Sequence, residues 1–313
     1  MTGWIGRLLR MAGLRRSGRG GPAGGRLMRL PGDMREPGGI VVYSGPMVSD
    51  VWPALYTANS LQKAFREREL IVIAPKRDDK LYNMMGRRPK VHCYSERPEL
   101  PGDLDREKLA KGFLFFYPYS KVIESDRKLL ERIPCGIRIA PLDDPSPLIN
   151  LTVRTESPHF PEKLQQMFHV LGIDYDEEWR PSVRKHAEQA AKQRLAPVTG
   201  RMMPYIVVTD SAQAILERSR AEIPLRTVSF SGKKSELADL DREIRTAVVA
   251  GASAVATDSD DLWGDACAFD VPVAGLDNSG DFIKWHGMES AQSREGFVQA
   301  WVEILKRGVL VSG

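Results

Sequence analysis

The chain has 313 residues, 42% hydrophobic and 27% charged, which is the composition of a globular protein with core enough for two domains. No run approaches the 18 or so apolar residues of a membrane-spanning helix, so an integral membrane protein is excluded as an expectation. Cys93, Cys135 and Cys267 lie far apart, an odd number without paired spacing, which argues against a disulfide scaffold and a Cys-x-x-Cys metal site and fits a reducing cytoplasm. The net charge of +4 is uneven. Residues 1–37 carry eight arginines against Asp33 and Glu36, so the rest of the chain sums to about −2. A body without a basic excess gives no support to nucleic-acid binding.

Residues 1–16 place Trp4, Leu8 and Met11 at helical spacing between arginines. That pattern fits an amphipathic basic helix lying on an anionic membrane surface; a disordered tail fits it equally well. It has no apolar signal-peptide core. Residues 17–39, rich in Gly, Pro and Arg, read as a tether, and 1–39 as a leader.

From residue 40 short apolar runs alternate with amphipathic segments. Strands are expected at Ile40–Tyr43, Leu70–Ala74, Val91–Tyr94, Phe113–Tyr117 and Ile137–Ile139, with a helix from Val51 to Arg66 and helical character at 78–85 and 119–132. Strands that are apolar throughout belong in a parallel sheet covered on both faces. These segments make a first lobe, 40–155. A connector, 156–200, follows. Pro161 opens a helix carrying Phe160, Leu164, Met167, Phe168 and Leu171 on one face, and Gly172 stops it. A polar helix over 182–195 ends near Pro197.

Alternation restarts in a second lobe, 201–313. Strands are expected at Tyr205–Val208, Leu225–Phe230, Ala254–Ala256 and Val271–Leu276. Helices are expected at 211–220, 235–249, 259–269 and 293–307; the second of these has Leu237, Leu240, Ile244 and Val248 on one face. The predicted fold is α/β, two doubly wound lobes with a cleft between them, ligands sitting at the carboxyl ends of the strands.

Four segments resemble the glycosyltransferase family 9 heptosyltransferases, which have the GT-B fold of two Rossmann-like lobes. IVVYSGPMVSDVWPALYTANSLQKAF (40–65) resembles the family's first strand, small-residue loop and Gly-Asp pair, which falls on Ser49-Asp50. HFPEKLQQMFHVLGIDYDEEWRP (159–181) resembles the inter-lobe segment. TDSDDLWGDACAFDVPVAGL (257–276) resembles the donor-binding element, and GFVQAWVEIL (296–305) the closing helix. The resemblance implies a first lobe for a glycan or glycolipid acceptor of the cell envelope, as in lipopolysaccharide synthesis. It implies a second lobe for a nucleotide-sugar donor, used as substrate with no further cofactor. It implies Asp50 as general base, and Thr209, Ser211, Gly232, Glu236, Asp258 and Ser259 as donor-binding residues. The expected place is the cytoplasm, from the cysteine usage, with residues 1–16 holding the protein peripherally on the inner membrane.

The residues themselves leave capping roles open for Asp50, Asp258 and Ser259. The sequence departs from the family where Ser49 and Asp260 replace glycines, where Leu262 or Trp263 stands near a usual His, and where TDSAQAILERSR (209–220) lacks a usual Lys. Lys233 and Lys234 are candidate substitute cations, and Trp263, Trp285 and His286 are candidate wall residues, core packing being the ordinary place for a Trp. The five histidines have no metal-ligand spacing, and no phosphate-binding or nucleophile-elbow motif occurs. The departures favour an alternative function, a catalytically silent GT-B-like protein serving as a binding or scaffold component; Asp50 and Asp258 favour catalysis.

Overall fold

A computed structural model describes residues 37–200, 204–229, 240–278, 280, 282–285, 288 and 290–307. The leader 1–36 and Gly232, Lys233, Lys234, Glu236 and His286 lie outside the described residues. The chain divides into two compact units. The first holds residues up to Pro46, Pro53–Lys76 and Pro89–Glu177; the second holds Met47–Trp52, Arg77–Arg88 and the chain from Glu178 onward.

The first unit is built on β1 (Gly39–Tyr43), β2 (Glu69–Pro75), β3 (Lys90–Tyr94), β4 (Phe113–Phe116), β5 (Ile137–Ala140) and β6 (Leu151–Thr152). They form a parallel sheet in the order β3-β2-β1-β4-β5-β6. β1 shows why its sequence is a continuous apolar run. Val41 and Tyr43 enter one core with Ile71, Ile73 and Phe115, while Ile40 and Val42 point to the other face, and all four are buried. The helices are α1 (Val51–Ala64, whose first two residues lie in the second unit), α2 (Arg106–Ala110), α3 (Glu124–Arg132) and α4 (Phe160–Leu171). Gly172 ends α4 in the left-handed region at φ 68°, where its amide reaches the Phe168 and His169 carbonyls, as the sequence predicts. A 3-10 helix, Lys76–Met84, lies in the second unit from Arg77 onward.

The second unit has α5 (Lys185–Thr199), β7 (Tyr205–Val208), α6 (Asp210–Arg218), β8 (Arg226–Ser229), α7 (Arg242–Ala250), β9 (Ala254–Thr257), α8 (Asp260–Ala268), β10 (Val273–Gly275) and α9 (Arg294–Lys306). Its sheet is parallel, in the order β10-β9-β7-β8. Tyr205, Val207 and Val255 face α5 and α7, and Ile206, Val208, Ala254 and Ala256 face α6 and α9. The predicted α/β architecture is therefore present in both units.

Some boundaries differ from expectation. α5 runs past Pro197 to Thr199, because a proline in the last turn removes only one terminal bond; Gly200, at φ 78°, closes the helix. α7 begins at Arg242, since Asp241 accepts the Glu243 amide and fixes the start there; Leu240 precedes the helix. Residues 119–123 are not helical, and α3 starts at Glu124. Among the described residues no helix is long and apolar enough to cross a membrane.

Candidate functional site

In the second unit the chain leaves β7 for β8 on one side and returns to β9 on the other. The carboxyl ends of β7 and β9 are thus adjacent and open onto different helices, the position where doubly wound sheets receive ligands. Thr209 follows β7 and Asp258 follows β9, and the Thr209 amide still donates to the Ala256 carbonyl, 3.2 Å away. A cavity of about 500 Å³ opens here, lined by Thr209, Asp210, Ser211, Arg245, Asp258, Ser259, Asp261 and Leu262.

Thr209 is the N-cap of α6. Its hydroxyl oxygen accepts from the Ala212 amide while its proton goes to Asp258 Oδ1, at 2.6 Å. Ser211 Oγ donates to the other Asp258 oxygen, so both carboxylate oxygens are held by hydroxyls from the neighbouring strand's turn. Ser259 is the N-cap residue of α8, yet its hydroxyl turns to Asp261. Asp261 also accepts the Leu262 amide at 3.0 Å and pairs with Arg245 of α7. Burial works to raise the Asp261 carboxyl, and the Arg245 guanidinium with the Ser259 hydroxyl brings it below its ordinary value. Ser229, at the end of β8, donates to Asp210. Three carboxylates against one guanidinium make the described lining net negative.

The segment Met47–Trp52 is part of this unit. Asp50 Oδ2 accepts the Met47 amide at 2.9 Å, closing a turn ahead of α1. Ser49 hydrogen-bonds Asp260 at the start of α8, which sets the turn beside that helix's N-terminus. Ser49, where the resembled family has Gly, thus has a definite role in this chain.

The structure brings four sequence-predicted residues together, Thr209, Ser211, Asp258 and Ser259. Gly232 and Glu236 lie outside the described residues. Trp263 and Trp285 are buried, and Trp263 Nε1 donates to the Ile283 carbonyl at 2.8 Å, so both belong to the core. Sequence reasoning missed Arg245, a polar-face residue of an amphipathic helix with nothing to set it apart. It also missed a buried charge cluster between α7 and α8. Arg242, on α7, grips Asp265, on α8, through two nitrogens at 2.6 and 2.7 Å. Trp52 Nε1 and Thr246 Oγ1 donate to the same carboxylate, each at 3.1 Å. Burial works to lower the Arg242 proton affinity, and Asp265 reverses that and leaves it raised. Asp78, fully buried in the Arg77–Arg88 segment, lies 4.0 Å from Arg242 Nε, and neither of its oxygens has a hydrogen-bond partner. The sequence signal was an Asp among the small apolar residues of GDACA, a position that needs a buried partner.

No protein-family model matches the chain, and no curated protein sequence matches it. Solved structures do. ADP-heptose lipopolysaccharide heptosyltransferase II of E. coli aligns over 87% of this chain and 98% of its own, at 12% identity and TM-score 0.55. The E. coli heptosyltransferase WaaC, solved with ADP-2-deoxy-2-fluoro heptose, aligns over 86% and 99%, at 13% identity and TM-score 0.54. A family 9 glycosyl transferase from Veillonella parvula DSM 2008 aligns over 86% and 97%, at 10% identity and TM-score 0.59. At these identities the likeness is one of fold, and this chain has the heptosyltransferase-like α/β fold that its sequence resembles.

Proposed function

We propose that the chain is a glycosyltransferase that moves a sugar from a nucleotide-sugar donor, bound in the second unit's cavity, to a hydroxyl of a cell-envelope glycan or glycolipid. The observation that carries this reading is the cavity at the carboxyl ends of β7 and β9, within a fold shared with heptosyltransferases over most of both chains. One of those neighbours was solved with an ADP-sugar analogue, which supports a nucleotide sugar as the donor class.

The chemistry asked of the residues is limited. Asp258, held by Thr209 and Ser211, presents a fixed acceptor for a donor hydroxyl, which would replace one of those two hydroxyls. Asp50, as general base, takes the proton of the acceptor hydroxyl as its oxygen bonds to the anomeric carbon. The bond from that carbon to the diphosphate oxygen breaks, and the nucleoside diphosphate leaves with the electron pair. Residues 1–16 would hold the enzyme peripherally on an anionic inner-membrane surface; vesicle co-sedimentation with and without residues 1–37 tests that, and equal recovery of the two forms sinks it.

The excess of carboxylates in the lining favours a second reading, a catalytically silent binding or scaffold protein. Thermal shift against nucleoside diphosphates and nucleotide sugars separates the two. The proposal expects stabilisation by one nucleotide class that Asp258→Ala removes, and Asp50→Ala that still binds nucleotide but does not transfer sugar. No response to any nucleotide supports the second reading, and normal turnover in Asp50→Ala removes that residue as the base.

A further inference from the structure

We propose that Arg245 is the cation that receives the ligand's phosphates in the second unit's cavity, and that Asp261 is its internal competitor, displaced from it when those phosphates enter. The inference rests on reading the cavity as a donor site and names how the charged part of the donor is held.

Among the described lining residues Arg245 is the cation, and it comes from α7, not from either strand-end turn. It is only half engaged. One terminal nitrogen pairs with Asp261, while Nε is buried with no hydrogen-bond partner. A guanidinium offers a planar fork suited to two phosphate oxygens, and here Asp261 takes one terminal nitrogen of it. The neighbouring Arg242, one turn earlier on the same helix, shows the contrast. Both of its terminal nitrogens are locked on Asp265 in the interior, whereas the Arg245 side chain keeps about a quarter of its surface open.

Asp261 is equipped to let go. Besides Arg245 it holds the Ser259 hydroxyl and the Leu262 amide, both at the N-terminal end of α8. Released from Arg245, its charge keeps those two donors and the favourable end of the helix dipole. Without the exchange, a diphosphate would enter a lining whose only described cation is already neutralised and whose other charges are Asp210 and Asp258. With it, the ligand takes over a charge-assisted pairing that Asp261 holds until then.

The test is calorimetric titration of the full-length protein with inorganic pyrophosphate, which carries the charge and no nucleoside. Asp261→Asn is expected to bind pyrophosphate about tenfold more tightly than the native chain, and Arg245→Gln at least tenfold more weakly, the size of one lost charge-assisted hydrogen bond. In the double variant the gain from Asp261→Asn is expected to vanish, since the competitor matters only through Arg245. Two results of this titration overturn the proposal. One is native affinity in Arg245→Gln with its circular dichroism unchanged. The other is a tenfold gain from Asp261→Asn that persists without Arg245, which would make it a general field effect. A parallel titration with nucleoside diphosphates keeps the two claims apart. Nucleotide binding indifferent to Arg245 defeats this inference and leaves the donor site standing, whereas pyrophosphate exchange without any nucleotide binding does the reverse.

Discussion

Asp78 gives a stability prediction whose size follows from its surroundings. Its carboxyl is fully buried with no hydrogen bond to either oxygen. Desolvation raises its pKa from 3.8 to about 6, although Arg242 and Arg77 pull the other way; Asp265 adds to the rise and Arg245 opposes it. Each tenfold change in proton affinity is worth about 1.4 kcal/mol, so the charged form costs about 3 kcal/mol more in the folded protein than in the unfolded chain. The sign follows from proton binding. Between pH 4 and 6 the folded state holds a proton that the unfolded chain has released, so this group makes the protein less stable as pH rises through that window, and the full cost is present above it. Asp78→Asn mimics the neutral form at every pH. Urea unfolding of the native protein and the variant at pH 4, 5, 6 and 8 is the assay. Whatever the amide itself costs is common to all four points, so the stability of Asp78→Asn relative to the native chain should climb by up to about 3 kcal/mol from pH 4 to pH 8. Parallel profiles for the two proteins would refute the assignment of a buried, ionisable and unsatisfied carboxyl.

Two further changes test the packing of each unit. In Gly275→Ala the new Cβ would lie 2.4 Å from Trp263 Cε3 and 3.2 Å from Phe282 Cε2. Trp263 is anchored through Ile283 and cannot retreat, so a loss of about 1–3 kcal/mol is expected from chemical denaturation, and an unchanged midpoint would show that the indole moves freely. In the first unit Asp126 accepts from the Tyr43 and Tyr117 hydroxyls at 2.7 Å each. Asp126→Asn keeps one acceptor oxygen and puts an amide NH2 at the other position, where Tyr117 can accept from it and donate to the Lys121 carbonyl at 2.8 Å instead; the charge assistance is lost, and a loss of about 0.5–1.5 kcal/mol is expected in the same assay. Full stability in that variant would mean that the carboxylate charge adds nothing to the two tyrosine hydrogen bonds.

The strands were the legible part of the fold, and the reason is burial on both faces. Runs such as Ile40–Tyr43, Phe113–Phe116 and Tyr205–Val208 have no solvent side, so nothing polar interrupts them. The two-residue β6 and the five-residue α2 left no such trace, because an edge pairing of Leu151 and Thr152 and a single turn started by Asp105 involve too few residues for a period to show. Residues 119–123 have a helical composition, but Tyr119 is held by contacts with the Tyr43 and Tyr117 rings, and tertiary packing overrides the local preference. The site divides in the same way. Thr209, Ser211, Asp258 and Ser259 could be found because each lies within three residues of a strand's end, and parallel strands deliver their carboxyl ends to one edge. Arg245 could not, since it reaches the cavity from a helix whose placement depends on the whole unit.

That difference bears on how the capping and ligand readings of the turn residues relate. From the sequence they compete, whereas in the structure one Thr209 hydroxyl caps α6 with its lone pair on the Ala212 amide and gives its proton to Asp258. The cap fixes the oxygen, and the fixed oxygen then aims the Asp258 carboxylate before any ligand arrives. Ser211, one residue into α6, takes the second carboxylate oxygen from the same helix turn. A group that displaces Ser211 therefore meets a carboxylate still oriented by Thr209, whereas one that displaces Thr209 must also disturb the start of α6. A ligand hydroxyl is accordingly expected at the Ser211 side of Asp258, where exchange leaves the helix cap intact.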